Sequence, residues 1–308
     1  MQVIKAEESF STQRPVIATL GMFDGMHLGH IALLRQLIFW TRGRGGFCAV
    51  VTFDRHPRSV IGGGAPNQIT SLEQKLYIFE HLGIDGTAVV TFDSDTAAMP
   101  PEDFVRKVLV GRLGTRAVLL GFNNRFGKGG SGDYALLCKM APELGLTVRQ
   151  GTSLWSGGAP ISSTEIRTAV SRGDMNSAER MLGRKFSFWG VVMPGKQVGR
   201  QLGFPTVNLD ARGRLAPPPG VYAAITRVGS EFLASAAFVA PSEGASEYVG
   251  AVESHIIGRN MELYGREVEI IFVEYLRANR KFDTYDDLKQ AIASDVRAAY
   301  TACSTVRI

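Results

Sequence analysis

Cysteine is scarce in this chain: three in 308 residues, at positions 48, 138 and 303, and none in a Cys-x-x-Cys pair. A disulfide framework and a thiolate zinc centre are thereby excluded, and the three read as packing residues in a reducing compartment. Long apolar runs are missing as well. No uncharged stretch approaches the ~18 residues a bilayer span requires, although the 45% hydrophobic and 20% charged composition is that of a globular protein. The first fifteen residues carry Lys5, Glu7, Glu8 and Arg14 and no apolar h-region, so no secretory leader is read there and a cytoplasmic setting is expected. Basic residues prevail, with a net charge of +5 and a pI near 9.2. They form no run of five or six and are not interleaved with aromatics, which argues against nucleic acid as a partner. The surplus suits small phosphorylated substrates instead. No internal repeat or low-complexity segment occurs, and nothing in the pattern sets an oligomeric state.

What is present is two textures. Through the first half, β-rich runs ("VIATLG", "FCAVVTFD", "GTAVVTFD", "RAVLLGF") alternate with helical stretches ("HIALLRQLIFW", "SLEQKLYIFEHLG", "PEDFVRKVLVGRLG", "YALLCKMAPELG"). Strands separated by helices imply right-handed crossovers and a parallel sheet, whose ligands bind at strand carboxyl ends. After about residue 183 short strand-like pieces punctuated by Gly and Pro predict a small β-barrel or sandwich. One terminal helix follows, with Leu288, Ile292, Val296 and Ala299 at helical spacing behind a Thr284–Asp287 cap. Two domains are expected, residues 1–183 and 184–308.

Directly after the first strand comes "GMFDGMHLGH", residues 21–30. Gly21, Gly25 and Gly29 let backbone approach a ligand, and the unpaired N–H groups of the helix start attract anions. His27 and His30, three apart, share a helical face and suit charge developing at phosphorus. The same spacing fits a glycine-rich turn with two solvated histidines. "ISSTEIR" at 161–167 sets Ser162, Ser163 and Thr164 at a helix start with Arg167 one turn on, which fits either a Ser162–Glu165 capping box or a triphosphate site. "GFNNRFGKGG" at 121–130 suits an exposed loop that reads a polar ring edge, or a solvated turn. "FDRHPR" leaves a strand in the same way, so His56 either borders that cleft or sits in a Pro-stiffened loop. In the second half Thr206 and Asn208 of "GRQLGFPTVNLD" offer hard ligands for Mg²⁺ and phosphates, or are alternating strand residues. Glu253 and His255 fall on one strand face, where a carboxylate can accept a hydroxyl proton, or the pair marks an exposed strand face.

Taken in order, "GMFDGMHLGH", "FDRHPR", "GFNNRFGKGGSGD", "ISSTEIR", "GRQLGFPTVNL", "PPPGVYA", "VESH" and "LYGREVEIIFVEYLRANRKF" closely resemble the bacterial bifunctional riboflavin kinase/FMN adenylyltransferase (FAD synthetase) family over almost the whole chain. The resemblance implies an N-terminal Rossmann-like nucleotidyltransferase domain with a parallel sheet and a C-terminal six-stranded β-barrel kinase with a terminal helix. Its substrates would be ATP, riboflavin and FMN, with Mg²⁺. It places Gly21, Phe23, Asp24, Gly29, Ser163, Thr164 and Arg167 on the adenylyltransferase ATP, with His27 and His30 catalytic. Asn123 and Arg125 fall to the flavin, Gly195, Gly203, Thr206 and Asn208 to kinase ATP, Thr206 and Asn208 also to the metal, and Glu253 becomes the kinase base. The chain departs from the family pattern at Asn124, at Arg55, across 234–250 and after Ile257. The alternatives are therefore an adenylyltransferase with an impaired kinase module, or a non-catalytic flavin or nucleotide binder.

Overall fold

The computed structural model describes residues 1–62, 64–156, 158–195, 197–241 and 251–306. Most of the divergent 234–250 stretch therefore lies outside the described residues. The chain divides into two compact units, Met1–Gln68 with Leu72–Ser163 and Ile69–Ser71 with Thr164–Ile308.

The first unit is built on six strands: β1 (Gln2–Lys5), β2 (Val16–Leu20), β3 (Phe47–Phe53), β4 (Gly86–Val90), β5 (Thr115–Leu120) and β6 (Thr147–Gln150). All pair in parallel, in the order β1-β4-β3-β2-β5-β6. The near-continuous apolar strands have a physical cause, because both sheet faces are covered. Val16, Ala18, Leu20, Ala49, Val51 and Val118 pack with Leu109 and Leu137 of one helical layer. Their neighbours Ile17, Cys48, Val50, Ala117 and Leu119 pack on the other face with Leu34, Leu37 and Phe79. Those last three belong to the helices Leu28–Arg42 and Leu72–Leu82. Because β3 and β5 flank β2 on opposite sides, strand order reverses at the carboxyl end of β2. A crevice opens at such a point. A small antiparallel pair, β7 (Trp155–Ser156) and β8 (Ala159–Pro160), precedes the helix Ser163–Ser171.

The second unit holds β9 (Ser187–Val191), β10 (Val207–Asp210), β11 (Gly220–Val228), β12 (Glu231–Val239), β13 (Ala251–Ile256) and β14 (Glu267–Arg277), paired antiparallel in the order β10-β13-β12-β11-β14-β9. The Met193 N–H donates to the Asn208 carbonyl at 2.9 Å, bringing the ends of that order together. Of barrel and sandwich, the chain forms the barrel. Along β11 alternate residues part company. Ala223 and Ile225 pack on Ala299 and Cys303 of the terminal helix Tyr285–Ser304. Thr226, on the other face, shares hydrogen bonds with Ser235 and Ser254 at 2.9 and 2.8 Å, all three fully buried. Thr284 caps the helix by accepting from the Asp287 N–H at 3.1 Å, as its sequence predicts. The buried line of that helix differs from the expected one: it runs Ala291, Asp295, Ala299, Cys303, with Leu288, Ile292 and Val296 half-buried beside it. A carboxylate takes a core position because Arg277 clasps it, Nε to Oδ1 at 2.8 Å and Nη2 to Oδ2 at 2.6 Å.

Candidate active sites

The chain leaves β2 into a loop that two residues hold in a left-handed conformation, Phe23 at φ 51° and Met26 at φ 41°. Such geometry costs a side-chain-bearing residue roughly 1–3 kcal/mol and persists where its surroundings impose it. Here burial does so: Phe23 and Met26 are 2% and 0% exposed, and Phe23 meets Phe79 edge-on at 5.5 Å. The Ser163 hydroxyl donates to the Asp24 carbonyl at 2.8 Å, tying the far end of the unit to the same loop. His27 then caps the helix, its Nδ1 accepting from the His30 N–H at 3.3 Å. An Nδ1 that accepts carries no proton, so neutral His27 holds its proton on Nε2. A Cβ on Gly29 would stand 3.1 Å from the His27 ring, tighter than ordinary contact. Glycine there lets the imidazole lie against the helix start.

The two imidazoles stack, with centroids 3.7 Å apart and planes at 19°. Burial holds the His30 pKa well below its ordinary value, and a charge on His27, were it protonated, and that on Lys75 push it the same way. His30 is therefore neutral near pH 7, and its buried Nδ1 has no hydrogen-bond partner among the described residues. Neutral donors at a helix N-terminus stabilise an anion without the cost of two adjacent cations.

Around this helix start lies a crevice of about 260 Å³, lined from the loop after β2 by Gly21 to Asp24, from the helix and its cap by His27, Gly29 and His30, and from the loop after β5 by Asn123 and Asn124. Ser162 and Ser163 complete its wall. Thr164 and Arg167 follow on the helix that Ser163 opens. Arg125 is placed elsewhere: exposed, and paired with Asp133 at 2.9 Å. His56 is not in the wall either and accepts from the Arg58 N–H at 3.1 Å, the Pro-stiffened loop of the two expectations. Asn124, where the chain departs from the family pattern, donates to the Leu20 carbonyl and so braces the end of β2. Sequence reasoning passed over Lys75, a buried lysine beneath the loop.

In the barrel two pockets meet at one residue. The smaller, about 40 Å³, is lined by Gln197, Arg200, Asn208, Arg259 and neighbours, the larger, about 380 Å³, by Phe204, Phe238, Glu253, His255, Arg277 and Asp295 among others. Thr206 lines both. Its hydroxyl donates to Glu253 Oε2 at 3.3 Å, and Asn208, which faces Glu253 across the β10–β13 pairing, donates from Nδ2 to the Thr206 carbonyl at 3.3 Å. His255 shares the strand face of Glu253 and reaches the Pro205 carbonyl through Nδ1 at 2.8 Å. A Cβ at Gly195 would fall 2.5 Å from the Asn208 amide, so only glycine leaves that amide its place. Gly203 occupies an exposed turn after the helix Val198–Gln201.

A family model described as FAD synthetase matches residues 9–165, and one described as riboflavin kinase matches residues 182–303. The chain belongs to the bifunctional riboflavin kinase/FMN adenylyltransferase family. Relatives of that name from Escherichia coli (strain K12) and Bacillus subtilis (strain 168) are 32% and 30% identical, covering 96% and 99% of this chain and 96% of their own lengths. The Listeria monocytogenes relative is 33% identical over 91% of this chain and 90% of its own. A crystal structure described as that of a macrolide-efflux protein from Streptococcus pneumoniae covers 97% of this chain and 99% of its own, with a TM-score of 0.79. At 23% identity it shares the fold. Family membership makes this chain an enzyme of flavin cofactor synthesis with an adenylyl-transferring and a phosphoryl-transferring domain.

Proposed function

We propose that the barrel phosphorylates riboflavin with ATP and that the parallel-sheet domain adenylylates the resulting FMN to FAD, with the boundary between Gly183 and Arg184. The meeting of two pockets at Thr206 carries the kinase half. Glu253 lines only the larger, mostly apolar pocket and Asn208 only the smaller one, whose wall includes Arg200 and Arg259, an arrangement suited to a flavin on one side and phosphates on the other. The ribityl hydroxyl would attack the γ-phosphorus while its proton passes to the Glu253 carboxylate and ADP departs. The Thr206 hydroxyl and Asn208 amide oxygen are hard donors that suit Mg²⁺, and no group of three His, Cys, Asp or Glu able to hold a metal occurs among the described residues. The ion would be shared with nucleotide phosphates and would neutralise their charge.

In the first domain an FMN phosphate oxygen would attack the α-phosphorus of a second ATP, releasing pyrophosphate. His27, His30 and the N–H groups of the helix start would stabilise the charge on phosphorus, while Ser163, Thr164 and Arg167 grip the triphosphate. Asn123 would meet the flavin edge. In this reading the protein works in the cytoplasm on small molecules and needs no nucleic acid. Purified protein with ATP, Mg²⁺ and either riboflavin or FMN tests it, with products separated by chromatography. FMN from the first and FAD from the second are expected; FAD from FMN without any FMN from riboflavin would refute the kinase half.

A further inference from the structure

The helix Leu72–Leu82 carries a lysine into the interior: Lys75 is 4% exposed, between the carboxyl ends of β2 and β3. Its ammonium donates to the Phe53 carbonyl at 3.1 Å, the Met22 carbonyl at 3.2 Å and the Thr52 hydroxyl at 3.4 Å. Thr52 in turn donates to the Met22 carbonyl at 3.4 Å. All three direct acceptors are neutral dipoles. Burying the ammonium so is costly, and a core helix facing apolar neighbours is more simply completed by leucine or methionine. The carbonyl it grips belongs to Met22, immediately before the left-handed residue Phe23 that launches the anion-binding loop.

We propose that Lys75 is a positioning residue for adenylyl transfer: by clasping the ends of β2 and β3 it fixes the loop carrying the helix-start donors, and its charge lies behind that loop to favour a bound triphosphate. This rests on the reading of the crevice as the adenylyl site. The charged groups around the ammonium are Asp24 in the loop, Asp54 after β3, Glu73 on its own helix and His30. Burial lowers its pKa to about 8, against the opposing pull of Asp24, Asp54 and Glu73. A bound polyanion stabilises the ammonium, so ATP affinity falls as pH rises through that value.

Lys75→Met in the full chain tests the assignment. At pH 7 the kcat/KM for ATP in FAD formation is expected to fall about 10- to 100-fold, the scale of a misplaced positioning group, with riboflavin phosphorylation unchanged. The wild type should lose about tenfold in the same kcat/KM per pH unit above ~8, a limb that Lys75→Met lacks and that a purely structural lysine would not create. A variant with the wild-type kcat/KM, or one that keeps the limb, overturns the proposal. Should the variant not fold, a wild-type profile level between about pH 7 and 9.5 overturns it. A wild type that makes no FAD at any pH would instead sink the reading of the crevice.

Discussion

Gly195→Ala adds a single methyl group to the barrel site. The new Cβ would lie 2.5 Å from Cγ and Oδ1 of Asn208 and 2.6 Å from Nδ2. Gly195 is not among the positive-φ residues, so the backbone accepts alanine and the collision is the whole perturbation. To regain the 3.4 Å of ordinary contact the amide must retreat by about 0.9 Å, from 2.5 to 3.4. It cannot do so and keep its 3.3 Å hydrogen bond to the Thr206 carbonyl. A shift on the order of 1 Å in a group that positions substrate costs about 100-fold, equivalent to about 2.7 kcal/mol of barrier. The assay follows FMN formed from riboflavin and FAD formed from FMN in one preparation, so each domain controls for the other. Phosphorylation should fall about 100-fold in kcat/KM while adenylylation holds. A kinase rate within about threefold of wild type would refute the assignment of Asn208 to the phosphate side, since so small a loss corresponds to less than ~1 kcal/mol.

Glu253→Gln should lower kcat for riboflavin phosphorylation by about 10²- to 10⁴-fold and leave FAD formation intact; equal losses in both would exclude Glu253 as the base. Ser163→Ala removes the bond to the Asp24 carbonyl, and FAD formation should drop about tenfold or more, as for a loosened positioning contact, with an unchanged rate arguing that the loop needs no such tie. Asp295→Ala leaves the Arg277 guanidinium largely buried without its clasp. Breaking a buried pair costs 3–5 kcal/mol, and partial exposure of this one, with side chains 23% and 12% accessible, reduces that to about 2–4 kcal/mol, read as a drop of roughly 8–16 °C in the barrel's thermal transition at about 4 °C per kcal/mol. Burial holds the His30 pKa well below its ordinary value, so the unfolded chain takes up a proton there that the folded chain refuses. Stability contributed by neutral His30 is thus lost as pH falls below about 6.5, by at most ~1.4 kcal/mol per pH unit. Denaturant titrations of wild type and His30→Gln at about pH 5 and 7.5 should show the variant losing less on acidification.

The parallel sheet was legible because its strands are apolar on both faces and separated by helix-length segments. Ala18 and Ile17 need opposite layers, and the helices supply them. β1 escaped notice because Gln2–Lys5 is half polar, as an edge strand can be. β6 is mostly exposed and carries no apolar alternation. The helical spacing of Leu288, Ile292 and Val296 marked the right helix but not its most buried line, since that line includes Asp295, whose burial depends on Arg277 eighteen residues away. Long-range pairing of that kind has no local signature. The same holds for Lys75, which reads as a solvated helix residue until Met22 and Phe53 are brought to it, and for the pairing of Arg125 with Asp133 beside the crevice-lining Asn123 and Asn124. Hydroxyls are equivocal for another reason. The "SST" turn predicts either a Ser162–Glu165 cap or a triphosphate site, and neither reading contains the bond that Ser163 makes to a carbonyl in another segment.

The two sites differ in the one element their chemistries require them to differ in. A ribityl hydroxyl is a poor nucleophile near pH 7 and must shed a proton as it attacks, and in the proposed reading that proton goes to Glu253, which lines the larger pocket beside the junction at Thr206. An FMN phosphate is already anionic at that pH and has no proton to lose. In the proposed reading the first domain needs no base for that attack, and the helix start beside the crevice presents His27 and His30, with Asp24 also in the wall. Burial that keeps His30 neutral is consistent with this division, because the work asked of it is hydrogen bonding to oxygen and not proton removal. On the proposed reading a carboxylate base is needed by one reaction and not by the other, so substituting Glu253 is expected to separate the activities by mechanism as well as by location.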